Sequence, residues 1–327
     1  MRTFCRFLGR LLLLVVLCVG AAVLFGPYEQ ISLTPTVQDS DIGSDVDAYL
    51  TTQEARFDGI TPGTEKRVVW HGGRGEKTPL VIVYVHGFSA TSEEIRPVPD
   101  RVAEALGANL VYTRLEGHGL DGTALAAATA QGWVNDVAEA LNVARRIGDE
   151  VVVMGTSTGA TVMAALADQS DVMADVVGMI FVSPNFGIKA PAAKLLTWPA
   201  ARHWVPVVAG ADRSFEPANE AHGKYWTHAY PTVAVMQMAA LVKEVFEKDH
   251  GQALVPALFW FSDGDQVVEA ARTQNVATRW GQEATVEIQR PMVGSDPQEH
   301  VIAGGIRSPA ENDRAIGAFV QFINGLK

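Results

Sequence analysis

The stretch VVVMGTSTGATVMAALA, residues 151–167, decides how this chain folds. Val151–Met154 is a β-branched run of the kind that is buried as a strand, too short to begin a helix. Thr158–Ala167 reads as a helix with a small-residue face. Only Gly155, Thr156 and Ser157 join the two. A reversal that tight forces its middle residue into strained backbone geometry, and flanking glycines let the neighbouring chains approach closely. The strained residue is Ser157.

Outward from this unit the same alternation repeats. Strand patterns fall at Arg67–Trp70, Leu80–Val85, Asn109–Tyr112, Glu150–Met154, Val177–Val182, Ala257–Phe261 and Thr285–Gln289. Helical patterns lie between and after them, at Pro99–Leu106, Trp133–Ile147, Thr158–Ala167, Val233–Glu247, Glu269–Arg279 and Pro309–Asn324. Apolar strands separated by amphipathic helices predict an α/β fold with a mostly parallel sheet covered on both faces. Asn185 to about Tyr230 breaks the alternation: it is rich in proline and tryptophan and has no clear period. So long an irregular stretch inside a compact domain is usually functional, often a lid.

Sites in open parallel sheets gather just beyond the C-terminal ends of strands. His86-Gly87-Phe88-Ser89 follows Leu80–Val85, and Ser262-Asp263-Gly264-Asp265-Gln266-Val267-Val268 follows Ala257–Phe261. Beyond Thr285–Gln289 come Pro291, Gly294 and then Glu299-His300-Val301. A second glycine-rich histidine motif, His71-Gly72-Gly73, precedes its strand rather than following it and reads as a hairpin turn.

The N-terminus is of a different kind. Arg2, Arg6 and Arg10 precede Leu11–Phe25, which carries no charge, and the next basic residue after Arg10 is Arg56. Residues 1–26 therefore read as a signal anchor or a cleaved signal peptide. The positive-inside rule puts the body outside the cytoplasmic membrane, anchored in the first case and secreted in the second. Residues 27–48 are acidic and aperiodic, as expected of a tether, and the main domain is expected over 49–327. The two cysteines, Cys5 and Cys18, both lie ahead of this body, which suits an oxidising space. A net charge of −11 with no Lys/Arg cluster argues against nucleic acid as a partner.

Gly155-Thr156-Ser157-Thr158-Gly159, set between a strand and a helix, is the G-x-S-x-G nucleophile elbow. With it the sequence resembles the α/β-hydrolase superfamily. Leu115-Glu116-Gly117-His118-Gly119 and Trp133-Val134-Asn135-Asp136 resemble the monoacylglycerol lipase-like branch, which also holds serine aminopeptidase-like members. The likeness covers about residues 50–327 and loosens after Asn185. It implies a cap inserted after the sixth strand, which on this chain falls at about 185–230, between Val182 and Val233. It further implies Ser157 as nucleophile, the amides of Phe88 and Thr158 as the oxyanion hole, and the chain order serine, acid, histidine.

Two aspartates compete for the acid. Relatives place it just before a valine-containing helix start, as in D-x-V-V, which favours Asp265 and leaves Asp263 as a turn former. His300 is the only histidine beyond Asp265. Many relatives have Gly-x-Gly-His at this point, where this chain has Asp-Pro-Gln-Glu-His. His118 reads as a structural loop residue and Trp133 as helix–sheet packing. In the cap, Ile188, Leu195, Leu196, Trp198, Trp204, Val205 and Val207 either form an apolar wall above Ser157 or pack the cap onto the core.

The scattered histidines and the cysteine-free body give no metal signal, and no strand–loop–helix unit has a dinucleotide-binding form, so no cofactor is expected. The expected activity is hydrolysis of small-molecule carboxylic esters, lipid-like ones among them, through an acyl-enzyme. Two alternatives stand beside it. One is an exported serine peptidase, in which cap carboxylates such as Glu216 or Glu220 would line a pocket for a free amino terminus. The other is a non-catalytic binding protein on the same fold.

Overall fold

A computed structural model describes residues 2–326. Along the chain come α1 (Arg2–Phe25), α2 (Val46–Glu54), β1 (Arg67–Val69), β2 (Thr78–Val85), α3 (Val98–Leu106), β3 (Asn109–Tyr112), α4 (Gly122–Ala127), α5 (Ala130–Ile147), β4 (Gly148–Thr156), α6 (Thr158–Leu166) and β5 (Val176–Val182). The irregular region follows, with α7 (Ala201–Ala209), β6 (Asp212–Ser214), α8 (Glu220–Tyr225) and β7 (Ala229–Pro231). The chain then closes with α9 (Ala234–Glu247), β8 (Ala257–Ser262), α10 (Ala270–Thr278), β9 (Ala284–Gln289) and α11 (Asn312–Gly325).

The main sheet runs β1-β3-β2-β4-β5-β8-β9, with β1 antiparallel and every other pairing parallel. Successive residues of a strand point to opposite faces, so the buried runs feed two cores. Val81, Val83, Val85, Val151, Val153, Phe181 and Phe259 pack beneath α5, α6, α9 and α10. Ile82, Tyr84, Val152, Met154, Ile180, Leu258 and Trp260 pack beneath α3 and α11. At about 1.5–3 kcal/mol for each large side chain fully buried, these two layers fix the strand ends from which the loops spring.

The cap leaves the sheet after β5, the fifth strand in chain order rather than the sixth. Three strands, β1, β2 and β3, precede the elbow strand β4, and β5 follows it directly. Within the cap, β6 and β7 pair as an antiparallel ribbon, and Thr227 N–H donates to the Ser89 carbonyl at 2.7 Å, pinning the cap to the end of β2. The His71-Gly72-Gly73 segment is a turn closed by the Glu76 carboxylate on Gly73 N–H at 2.9 Å. It is not a hairpin, because β1 pairs with β3 and not with β2.

The polar segment after α1 lies on the body rather than hanging free. Glu29 pairs with Arg202 at 2.7 Å and accepts from Gln237 at 2.5 Å. Gln169 and Gln131 donate to the Leu33 and Thr34 carbonyls, Thr36 N–H donates to Asn135, and Arg146 donates to the Ile42 carbonyl. Ile31 and Leu33 rest half-buried on the core, and Ile42, Val46 and Leu50 are part of it. Residues 26–45 are therefore a strap that delivers the chain into α2. By contrast none of Phe4–Phe25 in α1 is buried, and these 22 residues are long and apolar enough to cross a membrane.

Candidate active site

Ser157 sits at the junction of β4 and α6 with φ 51° and ψ −118°, a positive φ that a residue with a side chain rarely adopts. The glycines around it explain how the turn closes. A Cβ on Gly159 would lie 2.4 Å from the Val85 and His86 carbonyl oxygens, and one on Gly155 would lie 2.2 Å from Met163 Sδ. Helix α6 thus presses onto β2 and β4 with no room for a side chain. The compressed turn raises the Ser157 hydroxyl above the sheet.

His300 arrives from the loop after β9. Its Nε2 lies 3.0 Å from Ser157 Oγ, and its Nδ1 lies 2.8 Å from Asp265 Oδ2. A carboxylate only accepts, so Nδ1 carries the proton and Nε2 is left to accept from the serine hydroxyl. Asp265 is 1 % exposed, and its Oδ1 accepts from the amides of Val267 and Val268 at 2.7 and 2.9 Å. Asp263, the competing acid, is exposed to solvent at the tip of the turn. Burial by itself would push the His300 imidazole down. The Asp265 carboxylate, aided by Glu94 and Asp296, outweighs this and holds it above its ordinary value.

The Asp-Pro-Gln-Glu-His loop reaches its geometry by a route without glycine. Glu299 takes φ 53°, and its carboxylate accepts from Ser262 Oγ at 2.5 Å. Asp296, 3 % exposed, accepts from Val301 N–H at 3.0 Å and from the Arg307 guanidinium, so it closes the loop on both sides of His300. Sequence reasoning missed Asp296, because nothing marks it beyond its place four residues before the histidine.

Phe88 follows the end of β2, and Thr158 begins α6. Among the described residues neither backbone N–H donates within the chain, while the preceding amide, Gly87 N–H, donates to Glu94 Oε2 at 2.7 Å. The Phe88 ring meets His118, Trp133 and Tyr230 edge-on, with centroids 5.8, 6.3 and 5.6 Å away. The two motifs after β3 and at the start of α5 therefore buttress the turn that presents the Phe88 amide. His118 and Trp133 both bond to the Glu116 carbonyl, at 3.0 Å each. Burial lowers His118 to about 4 and holds His86 well below its ordinary value. Both imidazoles are neutral structural groups. His86 accepts from Leu115 N–H and faces the Gly87 carbonyl through Nδ1.

Above Ser157 and His300 lies a cavity of about 460 Å³. Ile188, Leu195, Leu196, Trp204 and Val205 line it, as does Val208. Val207 points away and is 84 % exposed, and Trp198 borders a separate cavity beside Val23 and Tyr28. Val205 also packs with Ala201 and Met236 in a small core of the cap. The apolar cap residues thus divide between wall and packing. Glu216 and Glu220 are exposed and do not line this cavity. Among the described residues no cluster of side chains could hold a metal ion. The arrangement can transfer a proton from a hydroxyl to an imidazole whose far side is held by a buried carboxylate, beneath an apolar chamber.

Comparisons with known proteins agree with this architecture. A monoacylglycerol lipase described as thermostable, from Bacillus sp. (strain H-257), is 26% identical over 193 residues, covering 59% of this chain and 73% of its own. A structure from a study of the metagenome-derived lipolytic enzymes LipS and LipT covers 80% of this chain and 99% of its own, with TM-score 0.62 at 19% identity. The monoacylglycerol lipase of Paleococcus ferrophilus covers 80% and 100%, with TM-score 0.57 at 12% identity. The family model described as serine aminopeptidase, S33 matches residues 76–290, from the start of the second strand through the last. The chain belongs to that family and has the α/β-hydrolase fold.

Proposed function

We propose that this protein is a membrane-anchored serine hydrolase that cleaves carboxylic esters of lipid-like acyl chains through an acyl-enzyme. Ser157 Oγ attacks the ester carbonyl while His300 Nε2 takes its proton. The Phe88 and Thr158 amides hold the oxyanion, and such donors contribute roughly 3–4 kcal/mol each at the transition state. His300 then returns the proton to the departing alcohol. Water, deprotonated by the same imidazole, releases the acid and restores the serine. Asp265 keeps the imidazole in the required tautomer throughout.

The observation that carries this reading is the continuous contact from Ser157 through His300 to Asp265 at 3.0 and 2.8 Å beneath an apolar cavity. A curated relative named as a monoacylglycerol lipase supports the ester side of the choice. The family's description as a serine aminopeptidase keeps a peptidase as the second reading, using the same three residues. It is the weaker one, because neither Glu216 nor Glu220 lines the cavity. Anchoring is supported by the unburied apolar α1.

A fluorophosphonate probe tests the mechanism. It should label Ser157 in the native protein and fail to label the Ser157→Ala variant, and an unlabelled native protein overturns the enzyme reading. Mass measurement of the membrane-extracted protein tests the anchor, since loss of residues 1–26 would mean a cleaved signal.

A further inference from the structure

The β6–β7 ribbon carries into the cavity two polar side chains that the proton transfer does not use. Arg213 and Tyr230 are cross-strand partners, so both lie on one face of the ribbon, while Asp212 and Ser214 alternate to the other. Both Arg213 and Tyr230 line the cavity above Ser157 and His300. Among the described residues Arg213 is in no ion pair, and the Tyr230 hydroxyl is in no hydrogen bond. Arg213 is also the one Lys or Arg among the described residues of the cavity wall. The one Asp or Glu there, Glu94, is already bonded on the floor, to Gly87 N–H and the Tyr84 hydroxyl.

The fold holds this pair in place. A Cβ on Gly122 would lie 2.4 Å from the Ala229 carbonyl oxygen and 3.1 Å from Tyr230 Cβ, so α4 presses directly on β7. The Tyr230 ring meets the Phe88 ring edge-on at 5.6 Å, one contact away from the turn that presents the Phe88 amide. Burial raises the Tyr230 phenol above its ordinary value, against the pull of Arg213, so the hydroxyl keeps its proton and can donate. A guanidinium offers a planar fork to the two oxygens of a carboxylate, and the phenol adds another donor beside it. A neutral ester would leave both groups to water. A carboxylate would satisfy them together.

We propose that Arg213 and Tyr230 bind a carboxylate carried by the ester substrate, making anionic esters the preferred substrates of this cavity. The inference rests on the ester-hydrolase reading and adds a charge to its substrate. The chain's net charge of −11 repels such an ester at long range, so a preference for it has to come from local contacts.

The test measures kcat/KM of the full chain in uncharged detergent on two pairs of esters. Six-carbon acyl chains keep these substrates in water rather than in the micelles. In the first pair the hexanoyl ester of glycolic acid is set against that of glycolamide, which puts the carboxylate on the alcohol half. In the second the mono-p-nitrophenyl ester of hexanedioic acid is set against p-nitrophenyl hexanoate, which puts it on the acyl half. The native protein should favour the anionic member of one pair by about 10-fold, and that pair names the half that carries the charge. Arg213→Gln should cut the ratio by about 10-fold, Arg213→Lys by less because the charge stays while the fork is lost, and Tyr230→Phe by about 3-fold. The loss should appear in KM more than in kcat. Native ratios at or below one in both pairs overturn the subsite without any variant having to fold. So does an Arg213→Gln variant that keeps the preference, or one that loses rate equally on both members of the pair. Failure to hydrolyse any of the four esters, with no fluorophosphonate labelling, would overturn the ester-hydrolase reading itself.

Discussion

The floor and the roof of the cavity are built on different terms. On the floor, Ser157, Asp265 and the Phe88 turn stand within a few residues of fully buried strand ends, and His300 is clamped by Asp296. The roof is made of short helices and a two-stranded ribbon whose own core is Ala201, Val205 and Met236. Chemistry that tolerates little displacement is carried where two cores fix the backbone. The apolar roof is carried where the chain holds itself together with little buried volume.

Substitutions on the floor should act on turnover, and the largest effects belong there. Ser157→Ala or His300→Ala should reduce hydrolysis of a p-nitrophenyl ester by roughly 10⁴–10⁶ while circular dichroism remains native. Asp265→Asn should cost about 10³–10⁴, whereas Asp263→Asn, at an exposed turn, should leave turnover within about twofold. An inactive Asp263→Asn variant would overturn the assignment of the acid.

The pH profile sharpens the same contrast. Only the neutral imidazole accepts the serine proton, and His300 is held above its ordinary value. So kcat/KM should rise with pH through a limb lying above the usual imidazole range. Asp265→Asn removes the carboxylate that raises His300 and should move that limb to lower pH. A limb that stays in place would break the link between the two residues.

Substitutions in the roof should change preference more than turnover. Leu196→Ala and Trp204→Ala should lower the ratio of kcat/KM for decanoyl over acetyl p-nitrophenyl esters by roughly 3- to 10-fold. Equal losses on both esters would mean that the roof supports the floor instead of reading the chain. The smallest effect is expected at Glu299→Gly. It relieves a positive φ but gives up the bond from Ser262, so stability by thermal unfolding should change by no more than about 1 kcal/mol.

How much of this could be read from sequence follows the same division. The five inner strands, β2, β3, β4, β5 and β8, were legible because apolar runs buried on both faces leave a pattern that survives without context, and the less buried β1 and β9 by their β-branched residues at the ends of the alternation. The elbow and the His86-Gly87 motif were legible because each follows such a run. The cap was not, since α7, β6, α8 and β7 are three to nine residues long and shared between cavity, ribbon and solvent. Helix α2 was hidden for another reason: it buries only Val46, Leu50 and Glu54, and acidic neighbours drew the expected tether across its first residues. Glu94 lay in a polar run, Ser92-Glu93-Glu94, where nothing in the spelling separates the buried acid from its half-buried neighbour.

The strap and α7 share a fastening. Pro27 accepts from Ala200 N–H at 2.7 Å, and Glu29 grips Arg202 two residues further along. The covering of the chamber is thus tied to its own leash, and α7 cannot swing outward without dragging the first residues beyond α1. Trimming the chain before Gly26 would spare these ties, whereas a cut beyond Glu29 would untie the hatch from its mooring.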